Sequence, residues 1–209
     1  MLSTRYLIVG GGLTADAAAR GIRACDADGP VLLVSAEADA PYARPPLSKK
    51  LWTGGDEEKI WCRTGELDGV EVSLGCRIAT LDLAGRRATD DRGQEIAWEK
   101  LLLATGGRPR TLGAGDGIVY YRTLADYRAL RGRARKGAIA VVVGGGFIGS
   151  EIAAALSSVG CKVTMIFPSL RSARASCRPV SPRSSPTATA STASRCSPAR
   201  RSPLRTAAR

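Results

Sequence analysis

Two glycine-rich turns in the same local setting constrain this chain more than any other feature. Gly10, Gly12 and Ala15 in GGGLTA hold the fixed positions of a G-x-G-x-x-G/A pattern, and Gly144, Gly146 and Gly149 in GGGFIG hold them again. Each turn follows a short apolar run, at 6–9 and 138–143, and opens an alanine-rich helical pattern, at 13–24 and 147–159. Further apolar runs at 31–35 and 161–167 close two strand–helix–strand units, each of about 30 residues, the size of a βαβ unit. The expected fold class is therefore α/β.

The turns also carry a chemical expectation. Gly10 permits the tight turn after the strand, Gly12 has no side chain to keep a pyrophosphate from the backbone, and Ala15 lets the helix pack closely on the strand. The helix N-terminus offers unpaired N–H groups and partial positive charge, worth roughly 0.3–2 kcal/mol to an anion. Glu37 lies just past the second strand, where a carboxylate accepts hydrogen bonds from a ribose. At the second turn the strand ends Phe167–Pro168–Ser169 with no acidic residue. Each turn reads either as a dinucleotide site in a Rossmann-like unit or as a packing device alone.

Between the units, PYARPPLSKKLW at 41–52 predicts an extended lead-in to a short helix. From residue 70 the chain reads as short strands, VEVSL, RIATLDL, RRATDD, QEIAWE and LLLAT, with DDRG at 90–93 a turn between two of them. Thr123 is placed to cap a helix reaching about Arg135.

Composition divides the chain at Pro168. Most of the formal charge of +12 resides in the tail: 169–209 holds nine Arg and no acidic residue, leaving 22 basic and 19 acidic residues in 1–168, a net of +3. The tail has no hydrophobic period and too little apolar surface to offset the entropy of ordering, so disorder is expected. Two origins stay open. One is a reading frame lost just after Pro168, since a one-base shift with GC-rich codons is compatible with an acidic residue and a glycine-bearing continuation. The other is a natural basic tail for nucleic acid or anionic lipid, which its lack of lysine, aromatic residues and amphipathic period disfavours.

The chain has no histidine, and Cys25, Cys62, Cys76 and Cys161 lack metal-ligand spacing, so no zinc site or histidine-dependent triad is expected. No apolar run approaches the roughly 20 residues that span a bilayer. The N-terminus has no signal-peptide pattern, so a cytoplasmic protein is expected.

The Pro-rich segment, together with LLLATGGRPR at 101–110, YYRTLADYRAL at 120–130 and VVVGGGFIGSEIAAAL at 141–156, makes the chain recognisable. It resembles the FAD-dependent pyridine nucleotide-disulfide oxidoreductases, in the ferredoxin reductase and apoptosis-inducing-factor branch. The resemblance runs from about residue 4 to 168, in the family's order. It implies part of an FAD-binding domain at 1–107, the start of an NAD(P)-binding domain at 108–168, and an out-of-frame tail at 169–209. Both Rossmann-like units would belong to a larger protein, with the second incomplete here.

By the same resemblance, Gly10, Gly12 and Thr14 would lie on the FAD pyrophosphate, with Ala15 behind them and Glu37 on the adenosine ribose. Arg44 and Lys49 would contact the flavin, Ile78 the adenine, and Arg122 the phosphates. Thr105 and Gly106 mark the crossing between domains beside the cofactor. Gly144, Gly146, Phe147, Ile148, Gly149 and Glu151 would line the NAD(P)H site. Lys49 and Glu151 would form a catalytic ion pair beside the flavin, the cation holding negative charge on the reduced ring.

The dithiol branch carries a redox-active C-x-x-x-x-C near the flavin, and no such pair occurs before the Pro-rich segment. Electrons would then pass from NAD(P)H through FAD to an external acceptor: an iron–sulfur protein, a quinone or oxygen. The chain as given would be truncated, with little or no turnover of its own. The rival readings are a non-catalytic dinucleotide-binding module and nucleic-acid binding through the tail.

Overall fold

Period-two alternation in the first apolar run builds the sheet. In β1 (Leu2–Val9), Leu7 and Val9 point to one face and Ile8 to the other, and each face carries its own buried cluster. This computed structural model describes residues 1–113, 115 and 117–167. The expectations of a disordered or out-of-frame tail fall on 169–209, outside the described residues.

After β1 come α1 (Leu13–Cys25), β2 (Val31–Val34), β3 (Val70–Ser73), β4 (Ile78–Asp82), β5 (Arg87–Asp90) and β6 (Glu95–Leu103). They form a six-stranded sheet in the order β3-β2-β1-β6-β5-β4. β3, β2, β1 and β6 run parallel, while β5 pairs antiparallel with both β6 and β4. Ile8, Leu33 and Val31 face α1, where Ala15 and Ala19 are fully buried. Two alanines one turn apart bring the helix close to the strands. Leu7, Val9, Leu32 and Val34 pack on the opposite face with Cys76, Ala88 and Ile96. Truncating a core residue such as Ile8 to alanine is expected to cost about 2–5 kcal/mol.

Several sequence expectations change here. β1 starts at Leu2 rather than at residue 6 because Leu2, Ser3 and Thr4 pair with Ile96, Ala97 and Trp98. That ladder comes from the partner strand and leaves no apolar signal in β1 itself. QEIAWE and LLLAT are not two strands but the single β6, which pairs with β5 at one end and with β1 along its length. Exposed Glu99 and Lys100 do not break it: Lys100 sits 5.1 Å over the Tyr6 ring, and Arg5 approaches Glu99 at 3.8 Å.

The short helix expected in the Pro-rich segment is a pair of 3₁₀ turns, Pro45–Ser48 and Lys50–Thr53. Two prolines remove backbone donors, and the remaining N–H groups reach only three residues back, Lys49 to Pro46 and Trp52 to Lys49. Two further 3₁₀ turns, Glu57–Ile60 and Thr64–Glu66, have no periodic signal in the sequence.

α2 (Leu124–Arg133) begins where expected. The Thr123 hydroxyl accepts from the Asp126 N–H at 3.2 Å, and the Asp126 carboxylate accepts from the Thr123 N–H at 2.7 Å. This is a reciprocal capping box. The chain divides into two compact units, Met1–Arg128 and Ala129–Arg209, with the division inside α2. Residues 120–128 belong to the first unit: the Tyr127 hydroxyl donates to the Leu51 carbonyl at 3.1 Å, and the Tyr121 hydroxyl donates to the Leu47 carbonyl.

The second unit contains β7 (Ile139–Val143), α3 (Phe147–Ser158) and β8 (Lys162–Ile166). β7 and β8 pair in parallel, and α3 packs on both. One row of β7 stays open, with Ile139, Val141 and Val143 at 81%, 56% and 60% exposure. Among the described residues no helix is long and apolar enough to cross a membrane, and Cys25, Cys62, Cys76 and Cys161 are free thiols.

Candidate cofactor-binding site

The carboxyl ends of β1, β2 and β6 open onto a cavity of about 480 Å³ at the N-terminus of α1. This is the crevice in which open parallel sheets bind ligands. The helix begins with the Ala15 and Asp16 N–H groups bonding to the Gly12 carbonyl, and Gly12 caps it without a side chain. The earlier N–H groups are therefore left to an outside acceptor.

The glycines of the turn divide by cause. Gly10 is required by the protein itself. Its φ is +127°, and a β-carbon there would lie 2.2 Å from the Ala104 carbonyl oxygen at the end of β6. Gly12 has no such reason. Its φ of −98° suits any residue, and an added β-carbon would meet no protein atom within 4 Å. Packing explains Gly10 and leaves Gly12 for something that occupies the cavity.

The second turn repeats the division. Gly144 has φ +119°, and a β-carbon on Gly149 would lie 2.2 Å from the Gly144 carbonyl oxygen, whereas Gly146 faces open space. The N–H of Gly144 bonds to Ile166 at 2.8 Å, as that of Gly10 bonds to Val34 at 2.8 Å.

Gly10, Gly12, Thr14, Glu37 and Arg44 all line the first cavity, joined by Ile78, Thr105, Gly106 and Arg122. Ala15 does not: it is buried in the core behind the turn. Lys49 is exposed on the 3₁₀ turns and is not part of the wall. Gly144, Gly146, Phe147, Ile148, Gly149 and Glu151 belong to the second unit. There Phe147 and Ile148 are 72% and 51% exposed at the start of α3.

The wall is cationic. Arg44, Arg77, Arg108 and Arg122 line it, against the carboxylates of Glu37 and Asp126. Arg44 is ion-paired with Glu37 and also donates to the Arg122 carbonyl at 3.0 Å. The Arg122 guanidinium lies where a side chain on Gly106 would begin, 3.3 Å away. Sequence reading missed Tyr42, Arg77, Arg108, Tyr120, Thr123 and Asp126 as members of this site. Signals were available for most of them: Tyr42, Arg108 and Tyr120 sit inside the quoted segments, and Thr123–Asp126 has capping-box spacing.

Tyr42 is 2% exposed. Its hydroxyl donates to Glu37 Oε2 at 2.7 Å and accepts from the Leu124 N–H at 2.8 Å. Burial, then the Glu37 carboxylate, push this phenol far above its ordinary pKa, so it stays a donor. Cys76, on the cavity wall, is a buried thiol donating to Asp90 at 3.1 Å, with its pKa raised first by burial and then by Asp90.

Helix-end N–H groups, arginines and a carboxylate around one cavity fit the adenosine diphosphate half of a dinucleotide. The family described as pyridine nucleotide-disulphide oxidoreductase matches residues 4–183. The ferredoxin–NAD(+) reductase component of an anthranilate 1,2-dioxygenase system from Burkholderia cepacia is 40% identical over 179 residues, covering 82% of this chain and 44% of that protein. A rubredoxin–NAD(+) reductase from Pseudomonas putida is 35% identical over 168 residues, covering 77% of this chain and 44% of the relative. The crystal structure of a ferredoxin reductase from Rhodopseudomonas palustris superposes with a TM-score of 0.72 at 32% identity, covering 78% of this chain and 42% of that one. The chain thus spans less than half the length of these relatives.

Proposed function

The chain belongs to the pyridine nucleotide-disulphide oxidoreductase family, and on that premise we propose that its first unit holds FAD and its second glycine turn receives NAD(P)H. The supporting observation is Gly12: a helix start with no side-chain cap and a glycine that no protein atom requires open together onto an arginine-lined cavity.

In this reading the α1 N-terminus and Arg122 bind the pyrophosphate, Glu37 accepts from the ribose, and Ile78 borders the adenine. Lys49 and Glu151 are the charged residues proposed to act at the flavin. When bound, FAD supplies acceptance of a hydride from NAD(P)H and onward transfer of electrons. The chain's own residues contribute binding, orientation and charge. The acceptor is proposed to be a small iron–sulfur protein, on the strength of the names of the relatives, and the setting cytoplasmic.

The test is anaerobic addition of NADH to the FAD-loaded chain, followed by flavin absorbance. Bleaching supports the reductase reading. Bound FAD that NADH leaves unbleached would reduce the chain to a dinucleotide-binding module.

A further inference from the structure

Tyr42 is a junction rather than a wall residue. Its backbone is pinned on both sides, with the Ala43 N–H bonded to Ile60 at 2.8 Å and the Cys62 N–H to Pro41 at 2.8 Å. Its ring meets Trp61 edge-on at 6.1 Å. The hydroxyl therefore occupies a fixed point, where three hydrogen bonds meet. Leu124 N–H donates to it at 2.8 Å, and Arg44 Nη1 donates to it at 3.1 Å. A phenol oxygen has two acceptor sites and one proton. With both acceptor sites filled, the proton can go only to Glu37 Oε2, at 2.7 Å.

The other carboxylate oxygen, Oε1, accepts from Arg44 Nη2. Each carboxylate oxygen has about two lone-pair sites, so one on each remains. Two parallel acceptor sites on a carboxylate fixed in place match two neighbouring hydroxyls. The backbone of Glu37 is held as well, its N–H donating to Ser35 Oγ at 3.2 Å.

We propose that Tyr42 is a positioning residue that holds Glu37 for the two vicinal hydroxyls of an adenosine ribose, making the cavity selective for a ribonucleotide over its 2′-deoxy counterpart. This rests on the dinucleotide reading of the same cavity. Without the Tyr42 hydroxyl, Glu37 keeps one arm to Arg44 and rotates, and the second ribose contact is lost.

The experiment titrates the full chain, free of flavin, with ADP and with 2′-deoxy-ADP. A hydrogen bond to a charged acceptor predicts a preference for ADP of about tenfold or more in the unsubstituted chain. Tyr42→Phe is expected to lower that ratio to about threefold or less. A replacement of Tyr42 by 4-aminophenylalanine, which restores an N–H donor at the same point, is expected to recover it. A purely structural role would change both affinities together and leave the ratio alone. If Tyr42→Phe does not fold, Glu37→Asp serves. Its shorter arm cannot reach both the Tyr42 hydroxyl and the ribose, so it must lose the same selectivity. An unchanged ratio in either variant overturns the role of Tyr42 while leaving the dinucleotide reading intact. Failure of the unsubstituted chain to bind ADP at all removes that reading, and this inference with it.

Discussion

Gly10→Ala and Gly12→Ala differ by two positions and should fail in different ways. At Gly10 an alanine faces two costs. A side chain at φ +127° is strained by about 1–3 kcal/mol. Its β-carbon, 2.2 Å from a backbone oxygen and 2.6 Å from the carbonyl carbon of Ala104, forces a backbone shift of the kind that costs about 1–3 kcal/mol. Together these come to roughly 2–6 kcal/mol, a large share of the 5–15 kcal/mol of an ordinary domain. At Gly12 the φ is −98° and the space is open, so the loss is only the poorer cap, about 0.5–1 kcal/mol. The same methyl group stands where a pyrophosphate must approach, so FAD affinity should fall about tenfold or more. Urea unfolding of the flavin-free variants gives the first quantity, and quenching of FAD fluorescence on titration gives the second. The reasoning is refuted if Gly12→Ala destabilises the flavin-free chain as much as Gly10→Ala, or binds FAD as tightly as the unsubstituted chain.

Other consequences follow from the electrostatics and surface. Arg5, then the Tyr6 hydroxyl and the Gly29 N–H, hold the Asp26 carboxyl well below the usual carboxylate range. Its stabilising contribution is therefore present above the unfolded pKa of about 3.9 and is lost as pH falls through the lower folded value. Asp26→Asn should lower the urea midpoint at pH 7 and converge on the parent in strong acid, and parallel curves at every pH would contradict this. Burial pushes the Tyr121 phenol up to about 12. Its contribution is full below the ordinary phenol value of about 10 and fades as pH rises toward the folded value. An ultraviolet titration of Tyr121→Phe should lose one late-ionising tyrosine and keep the still later ionisation of Tyr42. Val141→Thr combined with Val143→Thr removes apolar surface that is 56% and 60% exposed, and should reduce light scattering on warming. Unchanged scattering would mean that this row is not what drives association.

The parts of this fold visible in the sequence are those in which neighbouring residues carry their own signal. Leu7, Ile8 and Val9 alternate, Gly10 must turn, and Ala15 and Ala19 recur one helical turn apart, so the first βαβ unit could be read directly. What stayed hidden depends on distant partners. Leu2–Thr4 are strand only because β6 pairs with them, and β6 is one strand because β1 and β5 template its two ends. The site follows the same rule. Gly12 and Glu37 follow from the turn and the strand end. Tyr42 gained its role only once Leu124, 82 positions away, placed an N–H on its hydroxyl. Arg77 sits in a loop with no motif of its own, and only the closure of the cavity brings it to the wall.

The most direct test of the account is an equilibrium titration of the flavin-free chain with FAD and, separately, with FMN. On the proposed reading the cavity takes the adenosine diphosphate half, so the account predicts saturable binding of one FAD per chain, competed by ADP, with FMN binding far more weakly. Equal binding of FMN and FAD, or no binding of either, would contradict it.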